Sequence, residues 1–336
     1  MRKFLKGVSA AAGALVLLAA AGLGFLAVKK PAQHPPTEEK FAATPARLAR
    51  GAYLVEHVSD CLHCHSGFQP DLYTAPVKPG TEGEGGFPFD EKLGIPGMVQ
   101  AQNITPDVET GIGGWTDGEV LRALREGIKK DGTALFPQMP YQSFRQMSDE
   151  DAKAVVVYLR TLAPVRHEIA PRRLNFPVNL LVKFAPRPVD GPVVAPDNAK
   201  DHLGYGKYLV TIAGCADCHT PMDDKGNRLH DRELAGGWVM TLPFGRVVSG
   251  NITPAPDAWM GQATREEFIG RFKSFEGLVP SKALPNRNTI MAWYSYADLT
   301  ETDLAAIYDY LKTVPPIGGP VDPFPDAAPQ QQVAGQ

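Results

Sequence analysis

Apolar residues recur at helical spacing in two stretches of the chain, and both stretches carry the same start signal. In the first stretch the residues at i, i+3, i+4 and i+7 are Ala152, Val155, Val156 and Leu159. In the second stretch the same positions are Leu304, Ile307, Tyr308 and Leu311. Ser148 and Thr300 precede these stripes, each followed three residues later by an Asp, a pattern that begins helices. The pattern predicts two equivalent helices that each bury one face.

A second pair of helices is indicated upstream of the first pair. Thr116 with Glu119, and Thr264 with Glu267, have the spacing of a capping box, and Gly127 is placed to end the first of these helices. Strand-like alternation of apolar and polar residues is scarce, while Gly 33 and Pro 31 indicate many loops. The predicted fold class is therefore all-α, with long loops wrapped around something other than a self-sufficient core.

The chain is an internal repeat. The segment 51–55 recurs as 206–210, and the Asn-Ile-Thr-Pro segment 103–106 recurs as 251–254 in the same order. Two equivalent domains are therefore predicted. We assign the chain as a signal anchor with spacer, a first domain, a Pro-rich linker, a second domain and a disordered tail: 1–44, 45–163, 164–198, 199–316 and 317–336. The linker is apolar enough that we expect it to pack along the domains.

The N-terminus predicts export of the rest of the chain. An uncharged run from Gly7 to Val28 lies between basic residues on both sides. A bilayer-spanning helix needs about 20 apolar residues, so the length favours an N-terminal transmembrane helix over a cleaved signal peptide. The greater positive charge before the run places the N-terminus in the cytoplasm. The expected location is the bacterial inner membrane, facing the periplasm, with a soluble periplasmic form after cleavage near Ala19–Ala21 as the alternative.

Charge and cysteine content narrow the function classes. The net charge of −3 provides no basic field for a nucleic-acid backbone, so nucleic acid is excluded as an expected partner. The four cysteines are too few for a disulfide scaffold at this length, and they fall as two close pairs. Such pairing points to cofactor chemistry.

Both pairs belong to the Cys-x-x-Cys-His signature of covalent haem attachment. The residues are Cys61, Cys64 and His65 in the first half, and Cys215, Cys218 and His219 in the second. Thiols spaced i and i+3 can each bond one vinyl group of the porphyrin, and the following imidazole can bind the iron. The predicted cofactor is therefore two covalently bound haem c groups. The alternatives for such cysteine pairs are a zinc site and a dithiol redox centre.

A methionine from each half is the expected sixth iron ligand. Met139 and Met291 lie 78 and 76 residues after the first cysteine of their own repeats, and each precedes the terminal helix. Other methionines compete as ligands or as core residues: Met98, Met147, Met222, Met240 and Met260. Histidines outside the motifs are the remaining candidates: His57, His63, His167, His202 and His230. No cysteine is left for thiolate ligation.

The repeated Asn-Ile-Thr-Pro segments have two possible roles. Asn103 and Thr105, like Asn251 and Thr253, can donate hydrogen bonds to haem propionates or can build a turn. The sequence leaves these two interpretations open.

These motifs together resemble a known group. The chain is similar, over residues 45–316, to multihaem cytochrome c subunits of membrane-bound bacterial alcohol, aldehyde and gluconate dehydrogenases and to standalone dihaem cytochromes. The likeness rests on the first haem motif and on four further segments: 103–107, 111–115, 139–141 and 174–177. It implies two class I cytochrome c domains, with helices crossing near Gly51 with Tyr158 and Gly206 with Tyr310. It also implies His65 with Met139, and His219 with Met291, as iron ligands.

The expected function is electron transfer rather than catalysis. A dihaem c-type cytochrome would carry electrons between a membrane or periplasmic donor, such as a dehydrogenase, and a respiratory-chain acceptor, through transient contacts with redox partner proteins. The dehydrogenase subunits usually have three haem motifs, so a shorter free-standing relative also fits the two motifs of this chain. The alternatives are a dihaem peroxidase or sulfur-compound oxidase, and a haem c subunit of a terminal oxidase.

Overall fold

The computed structural model describes residues 2–223 and 226–327. The helices of the first half and the linker are α1 (Arg2–Val28), α2 (Pro45–Tyr53), α3 (Cys61–Cys64), α4 (Asp117–Glu126), α5 (Tyr141–Phe144), α6 (Asp149–Leu159) and α7 (Val178–Leu181). The helices of the second half are α8 (His202–Ile212), α9 (Cys215–His219), α10 (Trp259–Gln262), α11 (Arg265–Lys273), α12 (Trp293–Ala297) and α13 (Glu301–Leu311). A π-helical turn, Leu54–Val58, extends α2, and 3-10 turns cover Glu91–Leu93, Val182–Phe184 and His230–Arg232.

The predicted start signals are confirmed at α4, α6, α11 and α13. The hydroxyl of Ser148 accepts a hydrogen bond from the Asp151 amide, and the hydroxyl of Thr300 accepts one from Asp303. Both predicted capping boxes close reciprocally at the N-termini of α4 and α11. Gly127 ends α4 in the left-handed conformation. Side-chain oxygens therefore satisfy amides that the first helical turn leaves without partners.

Glycines allow the first and last helices of each half to cross closely. A Cβ atom on Gly51 of α2 would overlap the carbonyl oxygen of Ala154 on α6, and would also crowd Tyr158. In the second half, a Cβ atom on Gly206 of α8 would overlap the Ala306 carbonyl oxygen on α13. The expected helix crossings are present, and they depend on backbones that approach without an intervening side chain.

The prediction of an all-α fold is wrong, because two small antiparallel sheets accompany the helices. In the first sheet, β2 (Gly97–Gln100) lies between β1 (Pro88–Phe89) and β3 (Arg173–Leu174). The second sheet is a hairpin of β4 (Val239–Leu242) and β5 (Gly245–Val248). Strands of two to four residues are too short to show the alternation by which a sequence reveals them. They provide partners for the backbone groups of the long loops between the helices.

The prediction of an N-terminal transmembrane helix is also wrong. None of the helices in the described residues combines the length and the hydropathy that crossing a bilayer requires.

The linker and the beginning of the tail both pack against the rest of the chain. Leu174 of the linker pairs with Gly97 in the first sheet, and Lys183 donates hydrogen bonds to the last carbonyls of α1. Residues 317–327 contact β5: Asp326 pairs with Arg246, and the Val248 amide donates to the Pro323 carbonyl at 3.0 Å. Residues 328–336 of the predicted tail lie outside the described residues.

The two halves bind each other through a reciprocal exchange of tyrosines. The hydroxyl of Tyr208 on α8 donates to the Asp151 carboxylate on α6 at 2.6 Å and accepts from the Ser148 amide at 3.1 Å. Asp151 also receives two hydrogen bonds from Arg50 of its own half, both 2.8 Å long. A tyrosine of the second half therefore completes the N-terminal cap of the terminal helix in the first half.

The opposite exchange uses the equivalent residues. The hydroxyl of Tyr53 donates to the Asp303 carboxylate on α13 at 2.6 Å and accepts from the Thr300 amide at 3.1 Å. Tyr205 occupies the position of Arg50 and donates to Asp303 at 3.1 Å. Apolar residues of both halves form one continuous core, which joins the four crossing helices. The interface is thus a pseudo-twofold contact in which the repeats have matching roles.

Candidate haem attachment sites

Each cysteine pair lies on a single helical turn that begins from a left-handed residue. Asp60 precedes Cys61 with φ of 42°, and Gly214 precedes Cys215 with φ of 65°. The turns α3 and α9 then run through the motifs, so the two cysteines of each pair lie one turn apart on the same side of the helix. All four cysteines are free thiols. Two thiols one turn apart fit the spacing that attachment to one porphyrin requires.

The histidine of the first motif is held with one ring nitrogen available. The Nδ1–H of His65 donates to the backbone carbonyl of Gln102 at 2.6 Å, and a carbonyl can only accept, so Nδ1 carries the proton. Burial lowers the pKa of His65, although this hydrogen bond opposes the shift. A neutral imidazole protonated on Nδ1 has its lone pair on Nε2, which is the form that ligates iron.

The histidine of the second motif has the same arrangement. The Nδ1–H of His219 donates to the Gly250 carbonyl at 2.7 Å, and burial lowers the pKa of this imidazole as well. Gln102 and Gly250 each come directly before the repeated Asn-Ile-Thr-Pro segment. The sequence did not reveal these two acceptors, because the accepting atoms are backbone oxygens and the two residue types differ. The repeated segment immediately after them was the available signal.

The Asn-Ile-Thr-Pro segments build a turn that fixes these carbonyls. The side-chain oxygen of Asn103 accepts from the amide and the hydroxyl of Thr105, at 2.9 and 2.7 Å, and its NH₂ donates to Val165 at 2.7 Å. Asn251 makes the equivalent bonds to Thr253 and, at 2.7 Å, to the Ile317 carbonyl. Of the two interpretations that the sequence left open, the structure favours the turn. The turn also fastens the chain that leaves each terminal helix.

Met139 and Met291 lie in matching turns. The amide of Tyr141 donates to the Met139 carbonyl and the amide of Trp293 to the Met291 carbonyl, both at 2.8 Å. Both methionines are partly buried against the main core. The amide of Met291 also donates to the Thr289 hydroxyl at 3.0 Å. The two halves therefore present a methionine at the same place in the same local structure, just before α5 and α12.

Several competing candidates have other surroundings. Three of the other methionines are core residues, with exposures of 3% or less: Met147, Met240 and Met260. Met98 is 37% exposed on β2. The ring nitrogens of three histidines have hydrogen-bond partners within the protein: His57, His167 and His202. His63 lies beside Asp60, and His230 lies in a 3-10 turn.

The thiol environment argues against the two alternative cysteine chemistries. Burial raises the pKa of Cys61 to about 12, and the charge of Asp60 adds to this effect. Burial likewise raises the pKa of Cys215 to about 12. Dithiol redox centres use thiols with lowered pKa values, so these cysteines are poorly suited to that role. Within the described residues, no group of three or more His, Cys, Asp or Glu side chains could hold a metal ion such as zinc.

Comparisons with known proteins agree with these features. The cytochrome c family matches residues 204–315. The "Diheme cytochrome c-type" protein of Cereibacter sphaeroides is 30% identical over 316 residues, which cover 90% of this chain and 97% of that protein. The cytochrome c subunit of a quinone-dependent alcohol dehydrogenase from Gluconacetobacter polyoxogenes is 30% identical over 90% of this chain. The fructose dehydrogenase cytochrome subunit of Gluconobacter japonicus is 30% identical over 83%. The chain spans 62% and 55% of the lengths of these two subunits.

Proposed function

We propose that this chain, a member of the cytochrome c family, is a dihaem electron-transfer cytochrome. The family assignment rests on the diheme relative, which the chain matches over 97% of its length, and on the family match to residues 204–315. The resemblance predicted from the sequence motifs is confirmed by relatives that are cytochrome c subunits of dehydrogenases. As in those relatives, the role proposed for this chain is to carry electrons rather than to transform a substrate.

The repeated imidazole arrangement carries the proposal. His65 and His219 each donate from Nδ1 to a backbone carbonyl, at 2.6 and 2.7 Å, and each follows a pair of free cysteines. A carbonyl acceptor on Nδ1 fixes the ring orientation and makes Nε2 a better electron donor to a metal. The arrangement occurs once in each half, which supports two haem groups.

Each residue of the site has a proposed role. Thioether bonds would form from the four motif cysteines, and Nε2 of His65 and of His219 would bind one iron each. Met139 and Met291 are proposed as sixth ligands because of their matching turns. When bound, haem supplies a centre that gains and loses one electron. The thioether sulfur of a methionine ligand favours the ferrous state and so raises the reduction potential.

The proposed direction of transfer runs from a membrane or periplasmic dehydrogenase to a respiratory-chain acceptor. The cytochrome subunits of an alcohol dehydrogenase and a fructose dehydrogenase are similar to 90% and 83% of this chain, which supports such a donor. The relative named "Diheme cytochrome c-type", which the chain matches over 97% of its length, supports a carrier with two haem groups. Covalent haem is attached to chains after export, and this supports a periplasmic location for the haem-bearing part.

Carbon monoxide binding tests the relay against a dihaem enzyme. The purified haem-loaded protein should take up two electrons per chain in a reductive titration, and its reduced spectrum should not change rapidly when CO is added. The Met139→Ala variant is the positive control, because loss of the thioether opens one iron to CO. Rapid CO binding at one haem of the unmodified protein would contradict the relay and favour a peroxidase or sulfur-compound oxidase.

A further inference from the structure

The chain segments that lead into the two haem motifs touch each other. The hydroxyl of Ser59, two residues before Cys61, donates to the Ile212 carbonyl at 2.9 Å. Ile212 lies three residues before Cys215 at the end of α8. Ser59 and Ile212 are 153 positions apart in sequence. The interface between the halves therefore brings together the starts of the two attachment turns.

The loops after the proposed sixth ligands reach across to the attachment turn of the other half. Ser143 comes four residues after Met139, and its hydroxyl donates to the Asp217 carboxylate at 3.1 Å. Asp217 lies between the two cysteines of α9. In the opposite direction, Ser295 comes four residues after Met291 and hydrogen-bonds the carboxylate of Asp60, directly before Cys61. Each half thus holds the attachment turn of its partner half.

The Ser295 segment is held on the first half by a second contact. The Ser295 carbonyl is 3.0 Å from Nδ1 of His57, so the imidazole donates to it. His57 belongs to the π-helical turn that leads from α2 to the first motif. The contact between α12 and this turn therefore involves both the side chain and the backbone of Ser295.

Tyr296 lies in the contact between the two cysteine pairs. Its hydroxyl donates to the Ala213 carbonyl at 3.4 Å, beside the second motif. Burial raises the pKa of Tyr296 well above its usual value. Its neighbour Ser295 contacts the turn that leads to the first motif, so the segment 295–296 touches the chain beside both motifs.

We propose that the two haems meet across this interface by the edges that carry their thioether bonds, with Tyr296 as the residue that positions those edges. The proposal rests on the proposed dihaem function. The two vinyl groups of the porphyrin lie on one edge of the ring and the two propionates on the opposite edge. Because Cys64 and Cys218 bind vinyl carbons, adjoining attachment turns bring the two thioether edges together and direct the propionates away. Electrons would then pass directly from one macrocycle to the other inside a single chain.

Circular dichroism in the Soret band tests this arrangement on the full haem-loaded chain. Two adjoining haems should give a bisignate exciton couplet, and the Cys215→Ala/Cys218→Ala variant, which retains one haem, should lose it. Because exciton coupling vanishes at some ring orientations, electron paramagnetic resonance of the ferric protein is the second measurement. The spectrum of the two-haem protein should be broader than the sum of the spectra of the Cys215→Ala/Cys218→Ala and Cys61→Ala/Cys64→Ala variants, because the two irons interact by dipolar coupling. Two haems without a couplet and without broadening would overturn the proposal, whereas a count of one haem would refute the dihaem function itself.

Three substitutions test the role of Tyr296. Tyr296→Ala should weaken the couplet while the chain keeps two haems, and Tyr296→Phe should retain it because the ring remains. Ser143→Ala removes one hydrogen bond across the interface and should also weaken the couplet. This variant provides the test if the Tyr296→Ala protein does not fold. Ser274→Ala is the matched control, since the Ser274 hydroxyl donates at 2.8 Å to Arg271 within the same helix end. A couplet in Tyr296→Ala or Ser143→Ala equal to that of Ser274→Ala would contradict a positioning role.

Discussion

The tyrosine exchange between the halves gives a prediction in which the two sides should differ. Tyr208 is 7% exposed, and Ser148, whose amide donates a hydrogen bond to the Tyr208 hydroxyl, is 5% exposed. The Tyr208→Phe substitution removes a hydrogen bond to a carboxylate and leaves the Ser148 amide without a partner in a buried place. The first loss is worth about 1.5–3 kcal/mol and the second about 1–3 kcal/mol. Because Arg50 still neutralises Asp151 through two hydrogen bonds, we expect a net cost of about 2–4 kcal/mol.

The equivalent change on the other side should cost less. In Tyr53→Phe, the Thr300 amide becomes free in an exposed position, where water can replace the lost acceptor. Asp303 keeps its hydrogen bond from Tyr205. Asp303 is buried, so the lost hydrogen bond to its carboxylate still costs about 1.5–3 kcal/mol, and only the cost of an unpartnered buried amide is absent.

The assay is urea unfolding of both haem-loaded variants, followed by far-ultraviolet circular dichroism. The unfolding midpoint should fall further in Tyr208→Phe, with the denaturant slope unchanged in both variants. An equal or larger destabilisation by Tyr53→Phe would refute the argument that burial of the cap decides the cost.

Two further predictions concern the helix crossings and the histidine acceptors. Gly51→Ala and Gly206→Ala should each lower stability by about 1–3 kcal/mol in thermal unfolding, because the added methyl group meets a carbonyl oxygen of the crossing helix. Gly270→Ala in α11 has open space around it and should leave stability equal or higher, so equal losses in all three would contradict the crossing argument. Asn103→Ala should loosen the turn that holds the Gln102 carbonyl, make the His65 imidazole a poorer electron donor and raise the reduction potential of the first haem alone. Asn251→Ala should act on the second haem alone, and redox titrations with unchanged potentials would count against this role of the turns.

Capping signals and the repeat were readable from the sequence because both depend on local chemistry. Ser148, Thr116 and Thr264 begin helices through bonds to residues three positions away, which a linear pattern records. The helix crossings at Gly51 and Gly206 were expected from the resemblance to class I cytochrome c domains, and the close backbone contacts at both glycines agree with that expectation.

Features that depend on the tertiary structure were not readable in this way. The acceptors for the motif histidines are backbone carbonyls of Gln102 and Gly250, and a backbone atom leaves no mark in residue type. The links from Ser143 to Asp217 and from Ser59 to Ile212 join residues 74 and 153 positions apart, and only the packing of the halves brings them together.

The error in the predicted fold class also has a physical cause. Strands of two to four residues, such as Pro88–Phe89, are stabilised by pairing with distant segments rather than by their own alternation.

The covalent attachment of two haem groups is the central claim, and intact-mass spectrometry under denaturing conditions tests it most directly. Thioether bonds survive unfolding, so the chain should carry the mass of two added haems, and the Cys61→Ala/Cys64→Ala variant should carry one fewer. A denatured chain that has no added haem mass, or only one haem in the unmodified protein, would contradict the account.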